Sequence, residues 1–149
     1  MAKLGYFVGL MLLLAPATVI AGPAEDAVSV VTRWAALYSA NDAEALLNLY
    51  TPDAVLLGTS SPVLRETADA RREYFARLPN SGNKSVIGDH RTMVLSDSVV
   101  LVTGFYDGMI MRDGKAVELP ARFSMLVVKR GNDWLIAHHH SSSKPKPPQ

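Results

Sequence analysis

Residues 121–142 read ARFSMLVVKRGNDWLIAHHHSS, two apolar runs folded back on each other around Gly131 and Asn132. That dipeptide supplies the positive φ angles a tight hairpin needs. With the turn there, Arg130 pairs with Asp133, Val127 with Ile136, Met125 with His138 and Phe123 with His140. Side chains alternate across a strand, so this register predicts one face carrying Phe123, Met125, Val127, Trp134, Ile136, His138 and His140. The other face then carries Arg122, Ser124, Leu126, Val128, Leu135, Ala137 and His139. A bulge anywhere along the pair would exchange the faces beyond it. Both faces are largely apolar, which predicts that both are covered, one by helices over a pocket and one by a second subunit.

Working outward, Val86–Leu95, Val99–Met111 and Lys115–Lys129 are strand-like, broken at Ser96-Asp97-Ser98 and at Asp113-Gly114. The second break is a hairpin signal. With Trp134–His140 they form a four-stranded antiparallel meander. The chain before it is helical in pattern: Ala27, Val31, Trp34 and Tyr38 recur at helical spacing between Ala24 and Ala40. Asn41, with Glu44 three residues later, reads as the N-cap of a second, shorter helix, which Pro52 and Asp53 close. Ala54–Leu57 reads as a short strand, and Thr67–Leu78 as a third helix with Ala70, Tyr74 and Leu78 inward. This order predicts an α+β domain, a cone-like curved antiparallel sheet covered by three N-terminal helices.

Residues 1–21 hold one lysine, Lys3, an uninterrupted apolar run from Tyr6 to Ala15, and small residues before Gly22. The pattern is that of a secretory signal peptide, with a core too short to span a bilayer. It predicts an exported product, periplasmic or secreted, with no membrane attachment once the signal is removed. Loss of Lys3 brings the 15 basic side chains level with the 14 acidic ones. No basic patch marks a nucleic-acid partner, and the absence of cysteine excludes disulfides and lipidation at a cysteine. Residues 22–143 suffice for one domain, and the Pro- and Lys-rich 144–149 reads as a disordered tail.

Three motifs carry a resemblance: Asn41-Asp42-x-Glu44; Glu66-x-x-Asp69-x-x-Arg72-x-Tyr74-Phe75; and Trp134-x-Ile136-x-His138-x-His140 followed by Ser-Ser. With the layout of elements they resemble the nuclear transport factor 2-like superfamily, which includes ketosteroid isomerases and SnoaL-like polyketide cyclases. Within it the chain is most similar to the association (hub) domain of calcium/calmodulin-dependent protein kinase II and its free-standing bacterial homologues. The kinase's own glycine loop, lysine and metal-binding aspartate motif are absent. The resemblance implies a cone-shaped pocket between helices and sheet, and homodimers or larger rings built through the sheets. Two arginines of the hub pocket fall on Tyr106 and Met125 here. Arg122 is the substitute, and a bulge near Pro120 would bring it to the same side as His138.

The candidate pocket is therefore Trp34, Tyr38, Tyr50, His90, Tyr106, Arg122, Met125, Trp134, His138 and His140. His138 and His140 are the candidate general bases, with Tyr106 as a donor beside them. A metal held by His138, His140 and His90 would need further well-placed ligands, so the reading is of rings that hydrogen-bond to their neighbours in the pocket floor, with no metal and no cofactor. Asp89, Asp97, Asp107 and Asp113 are the sheet carboxylates, none clearly opposite a tyrosine. Two functions follow: an oligomeric domain whose apolar cone holds a small organic molecule, or a cofactor-independent isomerase, cyclase or hydrolase with a His or Asp base.

Overall fold

The computed structural model describes residues 22–146. Residues 1–21, which the sequence predicts to be a signal peptide, lie outside the described residues, as do 147–149.

Helix α1 spans Pro23–Ala40 and begins with proline, whose fixed φ suits the first helical position. It buries Ala27, Val30, Val31, Trp34 and Ala35. It ends on Asn41 in the left-handed region, φ 60°. Asn41 therefore does not N-cap the next helix. Its side chain donates to the carbonyls of Tyr38 (3.0 Å) and Asn83 (2.9 Å) and accepts from the Gly82 N–H (2.8 Å). Asp42 caps the short α2 (Ala43–Leu47), accepting from Ala45 N–H at 3.0 Å. Glu44 reaches across to Arg72 on α3 (Ala68–Phe75) at 3.1 Å instead of closing a capping box.

Strand β1 (Tyr50–Leu57) starts four residues earlier than the short strand read from sequence. It is followed by α3 and by the meander β2 (Lys84–Ser96), β3 (Val99–Arg112), β4 (Lys115–Arg130) and β5 (Asp133–Ser143). The five strands form one curved, unclosed sheet in the order β1-β5-β4-β3-β2, antiparallel except that β1 runs parallel to β5. The α+β architecture and the meander are as the sequence predicts. The core lies between α1 and the inner face, where Val100, Val102, Met125, Val127 and Ile136 have no exposed surface.

The β4–β5 hairpin holds the expected register from Arg130–Asp133 to Val127–Ile136. There Ala137 is inserted as a bulge, so that Leu126 faces His138, Met125 faces His139 and Ser124 faces His140. One extra residue reverses the alternation beyond it. His139, buried, now shares the inner face with Met125; His138 and His140 share the outer face with Leu126, Ser124 and Arg122. The bulge does reconcile Arg122 with the two histidines. It lies at Ala137, not near Pro120, and it does so by carrying the histidines outward.

Candidate functional site

Between the inner face of the sheet, α1 and α3 lies a cavity of about 560 Å³. α1 contributes Trp34 and Tyr38, one helical turn apart, so their rings stack 5.2 Å apart on the side turned to the sheet. Tyr106 from β3 stacks on Trp34 at 5.9 Å and on Phe123 at 5.5 Å. Beyond β1, Gly58 leaves room for the ring of Tyr74 on α3, which any side chain at that position would strike. The bulged end of β5 adds His139 and Ser141, and Ser141 is within 2.7 Å of the Thr59 hydroxyl.

His139 is 1 % exposed, with its Nδ1 2.8 Å from the Tyr50 hydroxyl. That hydroxyl in turn accepts from the Trp34 indole N–H at 2.8 Å. The other ring nitrogen, Nε2, is buried and has no protein partner. Trp34 meets the imidazole edge-on, centres 5.0 Å apart. Burial, then the neighbouring His138 and His140, pulls the His139 pKa down to about 3, so the ring is neutral near physiological pH. Burial pushes the Tyr106 phenol up to about 12 against the opposing hydrogen bonds of Ser141 and Thr59. Burial also raises Tyr50 and Tyr38. All are therefore neutral groups able to donate or accept hydrogen bonds without carrying charge.

The lining includes three cationic side chains, Arg77, Lys84 and Arg112, all exposed; among the described residues no carboxylate lines the cavity.

Of the residues read from sequence, the structure brings Trp34, Tyr38 and Tyr106 together in this lining. Tyr50 stands behind them, bonded to His139. Met125 is wholly buried in the core, and Trp134 packs beside α1, donating its indole N–H to Asp26 at 3.0 Å; neither lines the cavity. His90, His140 and Arg122 belong instead to a depression of about 800 Å³ on another side of the sheet, with Arg91 and Lys144. There Arg122 donates to the Ser142 hydroxyl at 2.9 Å, and Lys144 lies 4.8 Å over the Phe105 ring. His138 is half-buried beside Leu126 and Val55. Its pKa is lowered by burial and by His140. Among the described residues no group of three His, Cys, Asp or Glu side chains is placed to hold a metal.

Sequence reasoning missed His139, Ser141 and Thr59, and placed Tyr74 inward on the third helix without assigning it to the pocket. The available signal was the alternation Arg122-Phe123-Ser124-Met125 on β4, which marks Phe123 and Met125 as inward; placing His139 opposite Met125 needed the bulge.

The chain's similarities agree with this geometry. No curated protein matches it. Among solved structures, a protein provisionally assigned as a calcium/calmodulin-dependent protein kinase II association domain from Xanthomonas campestris is 27% identical, with a TM-score of 0.77 over 91% of this chain and 100% of that one. The kinase II hub homology domain of Chlamydomonas reinhardtii matches with a TM-score of 0.69 at 17% identity, over 84% of this chain and 100% of that one. A provisionally assigned scytalone dehydratase from Novosphingobium aromaticivorans matches with a TM-score of 0.71 at 13% identity, over 80% and 83%. The last two likenesses are of fold. With the SnoaL-like domain model matching residues 28–146, nearly the whole described chain, the protein belongs to the SnoaL-like domain family, within the nuclear transport factor 2-like fold.

Proposed function

We propose that the protein is an exported, self-associating domain whose cone binds a small organic molecule. The observation that carries the binding reading is the buried Nε2 of His139, a polar atom with no protein partner on a residue that lines the 560 Å³ cavity. Buried polar groups are hydrogen-bonded as a rule, so an orphan closed off in the wall of a cavity supports a bound molecule that reaches it as the wall adjusts. Aromatic walls suit a flat or alicyclic body. The exposed Arg77, Lys84 and Arg112, with no lining carboxylate among the described residues, favour a neutral or anionic molecule over a cation.

Self-association is supported by the 27% likeness to the Xanthomonas association-domain protein. It is supported also by the half-buried Leu101, Leu126 and Leu135, which no described helix covers on the outer face. Export rests on the pattern of residues 1–21.

The isomerase, cyclase or hydrolase reading needs a base in the cone. Among the described lining residues His139 is the one imidazole, its pKa is far below neutrality, and no aspartate or glutamate accompanies it. Those facts favour binding over proton abstraction.

Native mass spectrometry of the protein, isolated from the compartment its own leader reaches, tests all three parts. The expected result is a processed dimer or ring carrying a defined extra mass that is lost in His139→Ala. A processed monomer overturns self-association. An intact leader overturns export. An assembly that carries no extra mass and binds nothing in a ligand-observed fragment screen overturns the binding reading.

A further inference from the structure

Three atoms decide which tautomer His139 adopts. An indole N–H only donates, so at Trp34 Nε1 to Tyr50 Oη, 2.8 Å, the phenol oxygen accepts. The phenol has a single hydrogen left to give, and His139 Nδ1 lies 2.8 Å away. If Nδ1 carries no hydrogen, the phenol donates to it, and both contacts are satisfied. One buried polar group then stays unpaired, the Nε2–H. If Nδ1 carries the hydrogen, it must donate to the Tyr50 oxygen. The phenol hydrogen then has no partner in a site where Tyr50 is 5 % exposed, and the Nε2 lone pair is unpaired as well. The first arrangement leaves one orphan and the second leaves two, and buried orphans are what folded proteins avoid.

The ring is also held against turning over. Trp34 abuts it at 90°, and the Tyr50 ring lies nearly parallel to it, 18° apart. Tyr50 does not line the cavity, whereas His139 does. Nε2 lies on the edge of the imidazole turned away from Tyr50 and is itself closed off within the wall of the cavity, so a ligand's acceptor reaches it by displacing lining atoms.

We propose that Tyr50 is a positioning residue that locks His139 as its Nε2–H tautomer, making it a fixed hydrogen-bond donor that selects ligands bearing a carbonyl-type acceptor oxygen. The ligand half of this rests on the binding reading above; the tautomer half does not. An imidazole so held does not serve as a base at Nε2, because that nitrogen already carries its hydrogen. It polarises an acceptor oxygen, and a ligand offering only a C–H at that point leaves the donor unpaired.

The test is nitrogen-15 NMR of uniformly labelled protein, in which a protonated and a bare imidazole nitrogen resonate far apart. In the wild type, His139 is expected to show a bare Nδ1 and a protonated Nε2. In Tyr50→Phe, where the phenol donor is gone, both tautomers are expected to populate. A protonated Nδ1 in the wild type overturns the proposal, and so does an unchanged tautomer in a folded Tyr50→Phe. If that variant does not fold, the wild-type spectrum alone decides.

Propiophenone and propylbenzene, which differ in the carbonyl, then serve as probes. The ketone is expected to bind about tenfold more tightly than the hydrocarbon and to move the Nε2–H resonance, with the preference lost in Tyr50→Phe. Equal binding of the two, or binding of neither, with Nε2–H confirmed overturns the ligand half and leaves the tautomer established. Failure of the lock is thus told apart from failure of the binding reading.

Discussion

The guanidinium of Arg71 on α3 lies 5.9 Å from the centre of the Tyr50 ring, the same ring whose hydroxyl holds His139. Arg71 is buried, and its hydrogen bonds go to backbone carbonyls, those of Thr51 (2.9 Å), Pro52 (2.8 Å) and Ala54. Those carbonyls belong to the part of β1 where pairing with β5 breaks, between Tyr50–Ile136 and Val55–His138. Deprived of a strand partner, they take the five-donor fork of an arginine in its place. Arg71 is thus the brace that holds β1 against β5 on either side of an irregular turn of chain.

Replacing that brace exposes its cost. Arg71→Met keeps the apolar stem but leaves three carbonyls without donors, for a loss of about 3 kcal/mol. Arg71→Lys retains the charge but lacks the planar fork, and its loss should be smaller. Urea unfolding curves for the three proteins give the comparison. Equal midpoints for wild type and Arg71→Met would remove the bracing role.

Asn41 separates two effects that usually travel together. Its φ of 60° favours Asn or Gly, and its side chain ties the end of α1 to Gly82 and Asn83 before β2. Asn41→Gly keeps the backbone freedom and loses the bonds, and should cost about 1–2 kcal/mol; Asn41→Ala loses both, and should cost about 1 kcal/mol more. Thermal or urea unfolding of the pair checks the ordering. If Gly and Ala are equally destabilising, the left-handed conformation contributes nothing.

Acid should weaken the fold through His139. Its pKa falls from 6.5 to about 3 on folding, so the unfolded chain binds the proton more readily. Stability from this group is complete above pH 6.5 and is lost as pH falls towards 3, with a slope of up to about 1.4 kcal/mol per pH unit. His138, also lowered, adds in the same direction. The carboxylates held low, Glu44 and Asp53, begin to contribute only further down, near the ordinary carboxylate range. Urea midpoints measured between about pH 6.5 and 5 should therefore fall in the wild type and fall less steeply in His139→Gln, whose amide does not titrate while His138 still does. A wild-type midpoint independent of pH in that window would sink the assignment.

What the sequence made legible follows the same physics. Gly131-Asn132 and Asp113-Gly114 set two hairpins; the predicted pair Arg130–Asp133 is observed, and Arg112 pairs with Lys115 across the second turn. Alternation carried the register correctly as far as Val127–Ile136. It failed at Ala137 because register is read from contrast between faces, and three consecutive histidines offer none. Arg71 was illegible for a related reason: an arginine on a helix reads as solvated unless the carbonyls it will serve are known. Asn41 suits the end of one helix as well as the start of the next, and only the position of Gly82 and Asn83 decides between them.

Single substitutions of the three histidines distinguish the two registers directly. With the bulge at Ala137, only His139 lies on the cavity side, while His138 and His140 face outward with Leu126 and Ser124. His139→Ala removes the donor and opens space beside Trp34, and should weaken a cavity ligand at least about tenfold while lowering stability by about 2–3 kcal/mol. His138→Ala and His140→Ala should leave that affinity within about twofold, since surface changes away from a site are usually small. The measurement is a fluorescence titration of Trp34, one of the two tryptophans, after Trp134→Phe has removed the other. Uninterrupted alternation predicts the reverse order, with His138 and His140 sensitive and His139 silent. A deletion of Ala137 adds a second check: it leaves Met125 opposite His139 in a regular ladder, so the inward imidazole should survive even as the bend of β5 relaxes.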